Sequence, residues 1–289
     1  MNLDTIPDLV WLELAMCARL AVKQNTGVRK LVRDVFYNQI YSKWSQGAVT
    51  YKDNIDGQKD AGWDEVVIEW VKVAQASKQH SLGSVLGDDS VGKAHAQGEI
   101  VDGKLKSVRL WEKYRHGEGD RFQFVVNSGW GMVLFNRMRQ ACQRYILEHL
   151  KGEQNRSAVR GWKVFSETQG EGRSDSCVVY LGCSYKDPEV TLLVTKYIWP
   201  NVSDLVDANF QPIGFFSVDN KPLWAMPLPS VARGRKVLHV ELKGSAGGLM
   251  GYVLGLAFEQ AAPQADDDAS DLAQRGKAKA AEIVKALYA

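Results

Sequence analysis

Apolar residues recur every three to four positions in the first part of the chain, and this period predicts helices. Helices are predicted over residues 5–23, 27–44 and 63–79, with Thr5 placed to cap the first of them. Together the three segments predict a helical N-terminal part over residues 1–80. The apolar face predicted for the first helix consists of Leu9, Leu12, Met16 and Leu20.

The chain then changes from helical to strand-like patterning. Residues 81–103 are rich in Gly, Ser and Asp, and they predict a mobile loop because few large apolar side chains are present to anchor them. Alternating apolar positions follow at 108–114 and at 122–126, on either side of a Gly-rich turn at 116–120. This arrangement predicts a β-hairpin.

The second half of the chain continues with mixed patterning. A long amphipathic helix is predicted over residues 131–150, and strands are predicted at 161–166 and 176–182. Asp187 and Pro188 supply a cap and a first-turn proline, which predict a further helix to about residue 197. The remaining predicted elements are strands at 213–218 and 235–242, a helix at 246–262 and a helix in the C-terminal tail.

This succession predicts an α+β fold, in which the helical N-terminal part is followed by a mostly antiparallel sheet with flanking helices. The sheet and its helices form a core over residues 104–262. We expect a single domain over 1–262, followed by an acidic linker and a C-terminal helix over 263–289. Glycines spaced four apart in the helix at 246–262 predict that another element approaches it closely; they are Gly247, Gly251 and Gly255.

Composition and charge narrow the class of protein. Among 289 residues, 36 basic and 34 acidic side chains give a net charge of only +2, which argues against a general nucleic-acid binder. The longest strongly apolar run, 246–258, is shorter than the roughly 20 residues that cross a membrane. The four cysteines lack zinc-site spacing, and the N-terminus lacks the basic region of a signal peptide. We therefore expect a protein of the reducing cytoplasm with no membrane or nucleic-acid partner.

Charged residues near the two central strands suggest a phosphate site. Common catalytic motifs for nucleotide, zinc-protease, serine-hydrolase and kinase chemistry are absent. If the strands pair, Lys163 and Arg173 converge at one end of the sheet, with Asp175 as an orienting carboxylate. The alternative is an exposed charged sheet face with a surface Arg–Asp pair. His116, in the Gly-rich turn, is a candidate acid, and the alternative is an ordinary solvated turn residue.

The run from Trp162 to Val164 and from Arg173 to Leu181 resembles the central signature of the Hop-type effector family. In that family a strand with an embedded Lys is followed by Arg-x-Asp entering an apolar strand with Tyr. The family is named for a protein injected by plant pathogens, and it includes the lyase component of class V lanthipeptide and thioamitide synthetases.

Two further segments resemble the same family. They are residues 35–41, with their aromatic pairs, and residues 121–127, a strand ending in Asn. The family's C-terminal pattern, Ser-Phe-Gly followed by Arg, is not intact here. Residues 230–233 or the turn at 245–247 stand in its place.

The resemblance implies a lyase that eliminates phosphate from phosphoserine or phosphothreonine and leaves a dehydroamino acid. Lys163 is then the base, Asp175 orients Arg173, and His116 is the candidate acid. No metal or organic cofactor is implied. The partners are a phosphorylated peptide or protein substrate and a separate kinase that supplies it, and the alternative location is a host cell. The phosphate-binding residues implied are Arg173, Arg121 and Arg233.

Two other function classes stay open. One is a non-catalytic effector or scaffold that uses the same basic site to bind a phosphorylated partner. The other is an ADP-ribosyltransferase-type toxin, which usually needs a late glutamate. Glu241 is the candidate for that glutamate.

Overall fold

The computed structural model describes most of the chain, and several of the sequence predictions fall wholly or partly outside it. The helix predicted at 63–79, residues 81–92 of the predicted loop and Glu241 lie outside the described residues. The described ranges are 1–41, 93–101, 104–116, 119–126, 131–165, 175–208, 211–240 and 246–289.

The chain divides into two compact units. One contains Met1–Gly47, Pro212–Phe216 and Leu228–Ala289, and the other contains Ala48–Gln211 and Ser217–Pro227. The single domain expected over 1–262 stays a prediction, because a division by contacts does not test which parts fold on their own.

The first unit is helical. Its helices begin with α1, Asp8–Lys23, and α2, Val28–Val35, which continues as a π-helical turn over Phe36–Tyr41. Both agree with the predicted helices, but the cap predicted at Thr5 is wrong. Thr5 ends a 3-10 turn over Leu3–Thr5, where its hydroxyl donates to the Asn2 carbonyl at 2.9 Å, and Pro7 stands at the N-cap of α1. The close approach predicted along the glycine-bearing helix is also confirmed, because a Cβ at Gly255 would lie 2.5 Å from the Arg29 carbonyl oxygen of α2. The remaining helices of this unit in the described residues are α6, Val231–Leu238, α7, Ala246–Gln260, and α8, Ala269–Tyr288.

The orientation of α1 differs from the face that its large apolar residues indicated. Leu9 is 73% exposed and Met16 is 55% exposed. The helix has two apolar arcs. The buried arc carries Trp11 and Leu14 together with three alanines, which let neighbouring helices approach closely. Periodicity alone could not choose between the arcs. The buried residues of α1 are Val10, Trp11, Leu14, Ala15, Ala18 and Ala21.

The strand predicted at 235–242 is wrong over its first part, where α6 runs to Leu238. The helix forms because Ser230 caps it, its Oγ accepting a hydrogen bond from the Arg233 backbone N–H at 3.3 Å. His239 ends the helix in the left-handed conformation, with φ of 57°. Val237 and Leu238, two of the apolar residues that suggested a strand, therefore belong to the last turn of a helix.

The second unit is built around an antiparallel sheet, which confirms the α+β class. Within the described residues the sheet has seven strands in the order β1-β2-β4-β5-β3-β7-β6. Each pairing among the first six strands of that order is antiparallel. The strands are β1 Lys93–Val101, β2 Lys104–Lys113, β3 Arg121–Phe124, β4 Val159–Phe165, β5 Cys177–Leu181, β6 Phe216–Val218 and β7 Lys221–Met226.

Two sequence predictions are corrected by this sheet. Residues 93–101, expected to be loop, form β1, whose small residues and register shift near Gly98 give little strand signal. The predicted hairpin of β2 and β3 does not form, because β4 and β5 lie between these strands. Local patterning indicated the strands themselves, but long-range pairing decided which strands are neighbours.

One face of the sheet packs on a helix and forms the core. This helix, α3, runs from Gly131 to Arg144 and continues as a π-helical turn over Tyr145–His149, as predicted. The rings of Phe135 on α3 and Trp162 on β4 lie 5.0 Å apart. The apolar residues predicted for this helix are all fully buried: Leu134, Phe135, Met138, Ala141, Cys142, Tyr145 and Ile146.

The helix predicted from Asp187 is confirmed. It begins as α4, Pro188–Leu192, continues as a π-helical turn over Leu193–Ile198, and is followed by α5, Trp199–Val202. The Asp187 carboxylate caps α4 by accepting a hydrogen bond from the Glu189 backbone N–H at 2.9 Å. In the described parts of the chain, none of the helices combines the length and apolarity needed to cross a membrane.

Candidate anion-binding cleft

Residues that pair with one another across β2, β4 and β5 form rows on the sheet face opposite Trp162, and these rows line the candidate cleft. Lys113 of β2 pairs with Gly161 of β4, and Gly161 pairs in turn with Tyr180 of β5. The neighbouring row on this face contains Trp111 and Lys163, which are also direct partners. Side chains on one strand alternate between faces, so the buried Trp162 points to the core while Lys163 points away from it.

Gly161 leaves a gap in the row between Lys113 and Tyr180. A Cβ at this position would lie 2.5 Å from the Glu112 carbonyl oxygen, so the two strands approach too closely for a larger residue. Because glycine has no side chain, the sheet backbone itself forms the floor of an opening at this point.

Arg160 reaches the same side of the sheet through a β-bulge. Val159 pairs with Leu181 and Gly161 pairs with Tyr180, so Arg160 is an extra residue in β4. A bulge of this kind changes the direction of a side chain relative to strict alternation. Arg160 accordingly lines the opening next to Gly161 instead of entering the core.

Arg115 is held at the far end of the opening. Its backbone N–H donates to the Arg160 carbonyl at 3.3 Å, which continues the pairing of β2 with β4. Its guanidinium group lies against Gly182, where an added Cβ would overlap it. Burial and the charge of Asp187 raise the pKa of the Cys183 thiol to about 11. The positive charge of Arg115 acts on the same thiol and partly offsets this increase.

These residues enclose a cavity of about 330 Å³. The structure thus brings together two of the predicted catalytic residues, Lys163 and His116. The ammonium nitrogen of Lys163 lies 6.0 Å from the centre of the Tyr180 ring. The lining residues are Trp111, Glu112, Lys113, Arg115, His116, Arg160, Gly161, Trp162, Lys163 and Tyr180.

The carboxylate of Glu112 lies on the core side of the sheet, where other side chains hydrogen-bond to it. It accepts hydrogen bonds from the Tyr114 hydroxyl at 2.7 Å and from the Gln143 amide at 3.2 Å, and it lies 3.5 Å from Nε of Arg139. Burial raises the pKa of Glu112 in spite of these partners. Trp162 donates to the same Tyr114 hydroxyl at 3.0 Å, so the network fixes the strand beneath the cleft.

The other predicted site residues are not among the residues that line the cleft. Asp175 lies two residues before the first residue of β5, towards the opposite end of the strand from Tyr180. Arg121 is buried on β3 and pairs with Tyr180. Arg233 belongs to α6 in the other unit. Arg173 lies outside the described residues.

Sequence reasoning missed Lys113, Arg115 and Arg160. Lys113 and Arg115 stand just before His116 in a basic run, which was one available signal. Gly161 inside a predicted strand was another, because an isolated glycine there often marks a bulge or a close backbone approach. Among the described residues, no group of three or more His, Cys, Asp or Glu side chains is placed to hold a metal ion.

Comparison with known proteins gives similarity in structure only. No protein-family model matches the sequence, and no curated protein matches it. An effector protein from Pseudomonas syringae pv. tomato strain DC3000 is similar with a TM-score of 0.46 and 12% identity, over 95% of each chain. An effector protein from Pseudomonas syringae pv. syringae strain 61 is similar with a TM-score of 0.44 and 12% identity, over 94% of this chain and 92% of that one.

Proposed function

We propose that the cleft binds a phosphorylated serine or threonine of a peptide or protein and eliminates its phosphate. The observation that supports this most is that Lys163 and His116 line one cavity with Lys113 and Arg160. A candidate base, a candidate acid and two cations for the leaving group are the parts that such an elimination needs.

The phosphate group lies above Gly161 in this proposal. Arg160 and Lys113 flank that position, one supplying a bidentate guanidinium fork and the other a point charge. The bare backbone of Gly161 leaves room for the tetrahedral group between Lys113 and Tyr180. The roles that the resemblance implies for Arg173, Arg121 and Arg233 stay predictions, as does the orienting role of Asp175.

The reaction is a β-elimination. The neutral amine of Lys163 takes the proton from Cα, and the electron pair of that C–H bond forms the double bond between Cα and Cβ. The Cβ–O bond breaks, and phosphate leaves with the bonding pair while His116 donates a proton to the leaving oxygen. Neighbouring positive charges favour the neutral form of an amine, as the base requires. Exchange with solvent returns Lys163 and His116 to their starting forms.

The biological setting is part of the same proposal. The resemblance of residues 162–181 to the Hop-type effector family supports two settings, an effector delivered into a host cell or the lyase component of a peptide-modifying synthetase. Both require a kinase that phosphorylates the substrate first.

The test is the intact mass of a phosphothreonine peptide after incubation with the protein. We expect the peptide to lose the mass of one phosphoric acid molecule, and we expect Lys163→Met to stop this. Lys186→Met is the matched control, because Lys186 also lies over a tyrosine ring, at 5.7 Å, but does not line the cleft. A product with its hydroxyl restored would indicate a phosphatase. Binding without a change of mass would indicate a non-catalytic phosphopeptide reader, and either result would overturn the lyase proposal.

A further inference from the structure

One side of α1 presents large apolar residues at the surface of the helical unit. Leu9 and Met16 are more than half exposed, and Leu20 is 45% exposed. They follow one another at spacings of seven and four residues, which places them on one side of a helix, and the half-buried Leu12 extends that side. The 16 residues of α1 make this exposed stripe about 24 Å long. A continuous apolar stripe at the surface indicates a contact with another molecule.

The packing that holds α1 in its unit is made by the opposite side of the helix. That side packs against α2 and α8, and the ring of Trp11 lies 6.3 Å from the ring of Phe258 on α7. The exposed stripe is therefore available to another molecule without any change in the fold of the unit.

Charged residues divide α1 into an acidic first half and a basic second half. Asp8 and Glu13 lie in the first half, and Arg19 and Lys23 lie in the second. The Asp8 side chain is 91% exposed, so Lys277, at 3.8 Å, leaves it accessible. Two copies of α1 that pack antiparallel place the acidic half of each beside the basic half of the other, whereas parallel packing would bring like charges together.

These charges also distinguish a second copy from a membrane surface as the molecule that covers the stripe. A helix that lies on an anionic lipid surface is rich in lysine and arginine beside its apolar face. Here the exposed Glu13 stands on the same side of the helix as Leu9 and Met16. The charges thus match a helix with acid at one end and base at the other, and α1 of a second copy has that arrangement.

We propose that the protein forms a symmetric dimer through α1, with the two helices packed antiparallel across their exposed stripes. Met16 lies next to the midpoint of Asp8–Lys23, so a two-fold axis through that midpoint sets the two copies of Met16 side by side. The same axis places Leu9 near the partner subunit's Leu20. The apolar stripe supplies the affinity, and the charges at the two ends set the orientation.

The first test is sedimentation equilibrium of the full chain over a range of concentrations. We expect a mass of twice 32.2 kDa, and we expect Met16→Glu to raise the dissociation constant of the dimer at least about tenfold, because a symmetric contact contains each substitution twice. Leu147→Glu is the matched control and keeps the dimer, since Leu147 is also exposed, at 51%, but belongs to the other unit. A monomer at about 100 µM, above the micromolar constants of weak interfaces, or a dimer that Met16→Glu leaves intact, would overturn the proposal.

The second test addresses the orientation of the helices. We expect Lys23→Glu to weaken the dimer several-fold, because it places acid beside the acidic half of the partner helix. Adding Asp8→Lys to the same chain exchanges the two ends and should restore the affinity. If Lys23→Glu has no effect, or if the second substitution does not restore the affinity, the antiparallel arrangement is wrong.

The third test identifies the contact directly. In a protein whose half-buried Cys17 and Cys183 are replaced by Ser, we expect Met16→Cys to form a disulfide-linked dimer when diamide is added, because a disulfide joins Cα atoms about 5.5–6 Å apart. Leu147→Cys in the same background should stay unlinked, and equal linkage of the two variants would contradict the proposal. Flotation of a monomeric protein with phosphatidylserine vesicles, lost in Met16→Glu, would assign the stripe to a lipid surface and overturn the dimer.

Discussion

Glu112 carries a buried carboxyl group directly beneath the cleft, where it links the sheet to α3. Its hydrogen bonds to Tyr114 and Gln143 and its contact with Arg139 satisfy the group, but burial still raises its pKa. The folded protein therefore holds a proton on Glu112 more tightly than the unfolded chain does.

The stability of the protein should depend on pH through this group. Because the folded pKa is raised, its contribution is fully present below the pKa of an ordinary glutamate and is lost as pH rises through the folded value. Glu112→Gln removes this dependence. Urea unfolding at several pH values above 4 should show the free energy of unfolding of the unmodified protein falling, relative to Glu112→Gln, as pH rises. A difference that stays constant or grows with pH would contradict the assignment.

At the scale of single residues, the sequence predicted only some of the residues that line the cleft. Lys163 was found through the strand pattern, with its role as a base implied by the family resemblance, and His116 through its place in a Gly-rich turn. Arg160 could not be placed, because in a regular strand a residue two positions before Trp162 would share its core-facing side. Arg115 could not be placed either, since its position depends on Gly182, which is distant in sequence.

At the scale of elements, the packing of α7 on α2 depends on glycines that face α2. The atom closest to a Cβ at Gly255 is the backbone carbonyl oxygen of Arg29 at 2.5 Å, whereas at Gly251 it is the side-chain Cγ of Arg33 at 3.1 Å. Backbone atoms cannot move aside without shifting a helix, while a long side chain can.

The two glycines should therefore respond differently to substitution. We expect Gly255→Ala to lower the free energy of unfolding by about 1–3 kcal/mol, the usual cost of overpacking, and Gly251→Ala to lower it less. The measurement is the urea concentration at half-unfolding for both variants and the unmodified protein. If Gly251→Ala proves equally or more destabilising, the close backbone approach at Gly255 is not what limits this interface.

The element-scale predictions succeeded where the pattern was long and regular. The helices α3 and α7 were predicted with nearly correct bounds, because many apolar positions at helical spacing define them. The short elements were not, since their signals conflict: α6 contains apolar residues that suggest a strand, and β1 has few large side chains. The β2–β3 hairpin was wrong because a turn-like sequence does not fix which strands pair.

At the scale of the whole molecule, the C-terminal helix α8 is part of the first unit. It packs against α1 and α7, and a Cβ at Gly276 would lie 2.7 Å from the ring of Phe258 on α7. The expectation of a C-terminal helix is confirmed over Ala269–Tyr288. The buried side chains on this helix include Leu272, Ala280, Ile283 and Leu287.

Deletion of residues 263–289 should destabilise the first unit strongly. Each of the large side chains on α8 contributes about 1.5–3 kcal/mol when fully buried, and the partners of α8 on α1 and α7 would become exposed. Thermal unfolding followed by circular dichroism should show a lower midpoint, with added binding of a hydrophobic dye. An unchanged midpoint would mean that α8 is not needed for the packing of that unit.

The central claim is that Lys163 removes the proton from Cα of a phosphorylated residue held in the cleft. The most direct measurement uses a peptide whose phosphothreonine carries deuterium at Cα, with the product analysed by mass spectrometry. We predict a dehydroamino acid that has lost both the phosphate and the deuterium, formed by the unmodified protein and not by Lys163→Met. A product that retains the deuterium, or equal turnover by Lys163→Met, would contradict the claim.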